Sequence, residues 1–272
     1  IVPNQCTTRE LQSAERDVAA ALQAVLDEDR QATRLVVRCL LEVLPFVGLI
    51  ESVALHVATL LDHARLSVGK HWSLMDINEE IDLLNLTPYW MDAKAAVLNR
   101  VCLKQGTIVV LTAPNGGGKT TLLRGVAACI LLHQCGLSAP CAAGSTAPSV
   151  DHLFVRAGGL DVALERRSSF SNEMHDLRTI LAAPGNVVGL VDEPCSSTST
   201  AEALRLLKAV MAHMSASTTF VLSTHHHELE VPDMARLARL QMGAEVVGDD
   251  CVPNFRLRPG TCTNSLALQV AL

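Results

Sequence analysis

Three consecutive glycines, Gly116-Gly117-Gly118, stand between a short β-branched apolar run and an apolar helical run. Thr107–Thr112 (Thr-Ile-Val-Val-Leu-Thr) reads as a strand buried on both faces, and Lys119–Gln134 as the helix after it. No other stretch narrows the possible folds so far. A buried strand entering a helix through a glycine turn belongs to a parallel sheet with helices on its faces. Glycines at that junction let successive backbone N–H groups converge on one point, and the helix N-terminus adds partial positive charge. The segment Pro114-Asn115-Gly116-Gly117-Gly118-Lys119-Thr120-Thr121 is therefore expected to bind the phosphates of a nucleotide, ATP, as a P-loop. Lys119 would reach the β/γ-phosphates, and the Thr120 hydroxyl would ligate Mg²⁺. The usual pattern begins with glycine where this chain has Ala113, which serves if its φ is negative. A glycine-rich turn without a ligand is the plain alternative; the Gly-Lys-Thr ending and the strand–helix context favour the loop.

Two further apolar runs, Val187–Val191 and Thr219–Ser223, flank a helical stretch at Ala201–Met214. The alternation predicts an α/β fold with a mainly parallel sheet flanked by helices, and with the phosphate loop this makes a P-loop NTPase. The first run ends in Asp192-Glu193, where Asp192 would help to hold Mg²⁺ and Glu193 would act as general base on the attacking water. A strand-ending acidic turn is the alternative, disfavoured downstream of a P-loop. The second run ends in Ser223-Thr224-His225, and His225 is expected to sense the γ-phosphate or the water. His226, His227 and Glu228 beside it read as a solvated loop, because adjacent residues do not share a helix face on which to gather a metal.

Upstream, roughly Thr7–Ser67 reads as long helices. Thr7-x-x-Glu10 has the capping-box pattern, and Leu11, Ala14, Val18, Leu22 and Val25 form an apolar stripe. A polar break is expected at Asp27–Gln31, and a kink or stop at Pro45. The division expected is a helical lever or arm over 1–67, a connector that begins the ATPase domain over 68–105, and the P-loop domain over 106–272. The apolar stretch Leu35–Ile50 is interrupted by Arg38, Glu42 and Pro45 and is short for a membrane span, so no membrane partner is expected. Aromatic residues make up 3% of a chain that is 49% hydrophobic, which suits helices and parallel strands better than a β-sandwich. A net charge of −6 does not advertise a grip on duplex DNA. The nine cysteines form no C-x-x-C pair and read as free thiols of a reducing compartment. The chain begins at Ile1 and shows no signal peptide, which reads as a processed or partial chain.

Together these motifs resemble the ATPase domain of the MutS mismatch-repair family. Pro-Asn-x-Gly-Gly-Lys at 114–119 has that family's form of P-loop. Ser168-Ser169-Phe170-Ser171-Asn172-Glu173-Met174 is similar to its signature segment, Ser-[Ser/Thr]-Phe-x-x-Glu-Met. Ser197-Thr198-Ser199-Thr200, Ser223-Thr224-His225 and the ending Ser265–Ala271 resemble further family motifs. Leu86-Thr87-Pro88-Tyr89-Trp90 and Met242-Gly243-Ala244-Glu245 resemble the plant-type organellar branch. The resemblance covers roughly residues 80–271. It implies the ABC type of P-loop NTPase and a homodimer or a MutS-like partner, with Ser168 reaching across to the partner's nucleotide, and it puts an adenine-side loop at Val97-Leu98-Asn99. It also implies an organellar location, in a mitochondrion or plastid.

Three departures stand out: Ala113, the stretch Pro194-Cys195-Ser196-Ser197 after the acidic pair, and an end at Leu272 where relatives continue into a dimerisation element. No phenylalanine is followed at the second position by glutamate, so the family's mismatch wedge is not in this stretch, and any DNA contact would come through other domains. Two functions follow as expectations. One is an ATPase of mismatch or recombination surveillance. The other is a structural part of a large organellar complex such as a ribosome, with reduced turnover. A transporter ATPase is disfavoured, because no Leu-Ser-Gly-Gly-Gln-type signature is present.

Overall fold

The structure, a computed structural model, describes residues 8–91, 95–114, 116–157, 169–196, 198–225, 229, 235–247 and 250–262. It divides into two compact units, Ile1–His63 and Ala64–Leu272.

One helix, α1 (Thr8–Lys70), accounts for the described part of the first unit and continues into the second. The helix runs on through Asp27–Gln31, where a polar break is expected, and through Pro45, where a kink or stop is expected, so neither position ends it. The polar stretch contains no helix breaker. Gln23 Nε2 donates to Asp27 Oδ1 at 3.1 Å, and Arg30 Nη1 lies 3.4 Å from the same oxygen, so the stretch supports the helix through pairs one turn apart. Pro45 lacks an N–H for the Leu41 carbonyl, a loss of about 3 kcal/mol that helix propagation on both sides overcomes here. The apolar side chains Leu22, Val25, Leu40, Leu44 and Leu60 are exposed. An 18-residue window of this helix has a mean hydropathy of 1.8 and is 0% buried, so by length and composition alone α1 is apolar enough to cross a membrane. The expected cap at Thr7 lies outside the described residues.

The second unit continues with β1 (Asp76–Ile77), β2 (Ile81–Leu86), β3 (Asn99–Leu103), β4 (Ile108–Thr112) and α2 (Lys119–Gln134). Then follow β5 (Thr146–Ala147), β6 (His152–Arg156), α3 (Ser169–Ala182), β7 (Val187–Asp192) and α4 (Thr200–His213). β8 (Thr218–Thr224), β9 (Leu237–Val247) and β10 (Asp250–Pro259) complete the described elements. The strands form a small sheet in the order β1-β5-β2-β3 and a larger one in the order β10-β9-β4-β8-β7-β6. In the larger sheet β9, β4, β8, β7 and β6 run parallel, and β10 pairs antiparallel with β9.

Every residue of β4, β7 and β8 is buried, which is why these strands read as unbroken apolar runs instead of alternating ones. Alternation still sorts their side chains between two cores. Val109 and Leu111 join Leu123, Val126 and Ile130 of α2 and Ile81 and Leu83 of the small sheet. Ile108 and Val110 face Leu177 and Ile180 of α3, Leu207 and Met211 of α4, and Phe220. β8 separates β4 from β7, pairing Thr224 with Thr112 and Ser223 with Asp192. The carboxyl ends of three strands therefore lie side by side, and ligands of open α/β sheets bind at such an edge.

Leu207 has no exposed surface, whereas Leu44 on α1 is 61% exposed. Leu207→Ala is expected to cost about 2–5 kcal/mol by removing packed methyl groups, and Leu44→Ala to stay within about 0.5 kcal/mol. Urea unfolding of the two variants checks this; equal midpoints would contradict the assigned core.

Candidate functional site

The turn from β4 into α2 has glycines where its backbone is left-handed. Gly116 has φ 74° and Gly118 has φ 89°. Ala113 is not among the residues of positive φ, so a side chain is tolerated at that position. The Gly117 N–H donates to Pro114 O at 2.9 Å, and the Leu122 N–H to Gly118 O at 2.9 Å, which closes the turn and starts the helix. Lys119, only 6% exposed, folds its side chain back over the loop. Its Nζ donates to Ala113 O at 3.2 Å and lies 3.3 Å from Glu193 Oε1. Asn115 lies outside the described residues.

The acidic pair stands at the end of β7. The buried Asp192 carboxylate accepts hydrogen bonds from the Thr120 and Ser223 hydroxyls, which come from α2 and β8. The Glu193 N–H donates to Ser223 O and lies 3.1 Å from both that oxygen and Ser223 Oγ. His225 Nδ1 lies 3.7 Å from Glu193 Oε1. Gly116, Gly117, Gly118, Lys119 and Thr120 are thus brought to one strand edge with Asp192, Glu193 and His225, while Pro114 and Thr121 bracket the turn. Ser168, and with it the start of the signature segment, lies outside the described residues, as do Ser197, His226, His227, Glu228 and Ser265–Ala271.

A cavity of about 190 Å³ opens beside the loop, lined by Leu86, Val97, Asn99, Gly118, Met242 and Phe255 among others. Its walls are mainly apolar, which fits the flat face of an aromatic base. Asn99 ties its rim together: Nδ2 donates to Phe255 O at 2.9 Å, and Oδ1 accepts the Leu257 N–H at 2.7 Å. Phe255, with φ 56°, sits where the β9–β10 register shifts between Pro253 and Leu257. Its ring would meet a Cβ placed on Gly118 at 3.2 Å.

Sequence reasoning missed Phe255 and Ser223 as site residues. Ser223 stands in the Ser223-Thr224-His225 motif, but nothing local marks the bond it makes to Asp192. Phe255 had no local signal, because only the β10 bulge carries it to the loop.

Among the described residues no group of three His, Cys, Asp or Glu side chains could hold a metal. Thr120 and Asp192 supply two adjacent hard oxygens instead. That set fits Mg²⁺, which keeps waters and takes further ligands from phosphates.

Residues 109–272 match the family described as MutS domain V. The mitochondrial DNA mismatch repair protein MSH1 of Arabidopsis thaliana is 32% identical over 201 residues, 72% of this chain and 18% of that protein. DNA mismatch repair protein MutS 2 of Halobacterium salinarum is 36% identical over 173 residues, 60% of this chain and 20% of its own length. DNA mismatch repair protein MutS of Cytophaga hutchinsonii is 30% identical over 171 residues, again 60% of this chain and 20% of its own length. The chain spans about a fifth of the length of these curated relatives.

Gly118→Ala is expected to lose about 1–2 kcal/mol from the left-handed backbone alone, with a further loss from the contact with Phe255. Thermal melting of Gly118→Ala beside the double variant with Phe255→Leu separates the two parts. A single variant as stable as the parent chain would show that the loop does not hold this geometry.

Proposed function

Because the chain belongs to the MutS family, we propose that residues 106–272 form an ATP-binding and ATP-hydrolysing P-loop domain of the ABC type, serving DNA mismatch repair or recombination surveillance. The observation that carries the reading is the meeting of two consecutive pairs. Lys119 and Thr120, after β4, face Glu193 and Asp192, at the end of β7. A strand between the two, here β8, supports the ABC-type assignment.

In this reading the backbone N–H groups of 114–121 cradle the phosphates, and Lys119 balances their charge. Mg²⁺ bound with the nucleotide would be held by Thr120 and Asp192 and would neutralise charge on the phosphate oxygens. Glu193 accepts a proton from the attacking water, whose oxygen bonds to the γ-phosphorus as the bond to the β–γ bridging oxygen breaks. His225, beside Glu193, orients that water or the γ-phosphate. The adenine occupies the cavity beside Asn99 and Phe255.

We assign residues 1–67 to a lever and 68–105 to a connector that begins the ATPase domain. Ser168 would complete the site of a second MutS-like subunit. The name of the Arabidopsis relative supports a mitochondrial location. The net charge of −6 favours a second reading, recruitment as a structural component of a large organellar assembly such as a ribosome.

Purified chain is expected to bind MgATP, and Lys119→Ala to weaken binding by about 100-fold or more, equivalent to about 2.7 kcal/mol. Binding by that variant as tight as in the parent chain would reject the loop. Glu193→Gln is expected to bind ATP normally and to hydrolyse it about 10²–10⁴-fold more slowly. Unchanged single-turnover hydrolysis would remove Glu193 from the role of base.

A further inference from the structure

The segment after β7 has an unusual backbone. Glu193 has φ 47° and Cys195 has φ 64°, with Pro194 between them. Non-glycine residues in the left-handed region are strained and persist only where the surroundings hold them. Two holds are present. One is the Glu193 N–H bonded to Ser223 of β8. The other is the Cys195 N–H, which donates to Glu173 Oε1 of α3 at 2.7 Å.

Glu173 is 3% exposed. A carboxylate so deeply buried is costly unless it is paired and hydrogen-bonded. Its Oε1 takes the Cys195 N–H and lies 3.9 Å from Arg156 Nε, and Arg156 in turn pairs with Asp176 one turn further along α3. A hydrogen bond from a backbone N–H to a carboxyl oxygen is among the stronger ones and offsets the strain at Cys195. The Cys195 side chain offers no competing charge. Burial, with the Glu173 charge, pushes its thiol up to about 11, so it stays neutral and adds no second negative charge beside Glu173.

We infer that Glu173 is a positioning residue for hydrolysis: by holding the Cys195 N–H it fixes the backbone that aims the Glu193 carboxylate at its target. The inference rests on the reading of Glu193 as general base. The distance from cause to effect is two residues, and a rotation about the Cys195 or Pro194 backbone swings the carboxylate that now lies 3.3 Å from Lys119 Nζ. A base displaced by about 1 Å loses on the order of 100-fold in rate. The phosphate-binding residues are held differently. Lys119 and Thr120 sit on α2, and their hydrogen bonds go to Ala113 and Asp192, not to Glu173. Loss of the anchor therefore separates hydrolysis from binding.

Glu173→Ala removes the acceptor, whereas Glu173→Gln keeps an amide oxygen for the same N–H and removes only the charge. With the full chain, a fluorescent ATP analogue reads binding, single-turnover hydrolysis of MgATP reads chemistry, and backbone amide exchange reads residues 192–196. Glu173→Ala is expected to bind within about threefold of the parent chain, to hydrolyse at least about tenfold more slowly, and to exchange faster over 192–196 than elsewhere in the sheet. Glu173→Gln is expected to restore most of both changes. Hydrolysis by Glu173→Ala at the parent rate overturns the inference, as does parallel loss of binding and hydrolysis. A parent chain that binds no ATP sinks the nucleotide reading instead; unchanged exchange over 192–196 in Glu173→Ala then rejects the anchor as well, and faster exchange upholds it. Should the alanine variant fail to fold, Glu173→Asp, which withdraws the acceptor by one methylene, replaces it and the same comparison decides.

Discussion

The second unit is organised around a buried charge, the Asp192 carboxylate. It stands at the end of a strand buried along its whole length, where an unpaired carboxylate would be costly. Its two donors come from different elements, Thr120 at the start of α2 and Ser223 at the end of β8. For both hydroxyls to reach it, β4, β8 and β7 must run parallel, in register, with their carboxyl ends together. The register pairing Asp192 with Ser223 and Thr224 with Thr112 meets that condition. The same geometry delivers Lys119 to Glu193, since each is the next residue along the chain from Thr120 or Asp192 in opposite senses.

Strain gathers around this carboxylate. Three of the five described non-glycine residues with positive φ, Glu193, Cys195 and Phe255, border the strand edge or the cavity beside it. Each is held by a hydrogen bond to a distant element: Ser223 for Glu193, Glu173 for Cys195 and Asn99 for Phe255. In each case a side chain from another element bonds the backbone at the strained residue, so strain and anchoring occur as pairs. The first unit is built otherwise. Its helix α1 carries exposed leucines and valines, a surface of the kind that marks contact with another apolar surface.

Much of the central sheet was legible in the sequence, because its signals are local. β4, the glycine turn and α2 declare themselves within 28 residues as an apolar run, a turn that needs positive φ, and a helix. Asp192, Glu193 and His225 were placed at strand ends because each stands where an apolar run stops. The continuity of α1 was misread, because polar residues resemble a break in sequence yet form supporting pairs on a helix, and because one proline among more than sixty helical residues does not end it. Phe255, Ser223 and the Glu173 anchor were out of reach for a different reason. Asn99 and Phe255 are 156 residues apart, Asp192 and Ser223 are 31, and Glu173 and Cys195 are 22. Periodicity reports which face a residue takes within its own element and carries no information about what meets it from another. The sequence alone determined that this chain builds a glycine turn between a buried strand and a helix, with acids at the end of a later strand. The tertiary structure decided which strand lies between them, which hydroxyls hold Asp192 and which carboxylate steadies the turn beyond Glu193, because those choices depend on strand order and packing.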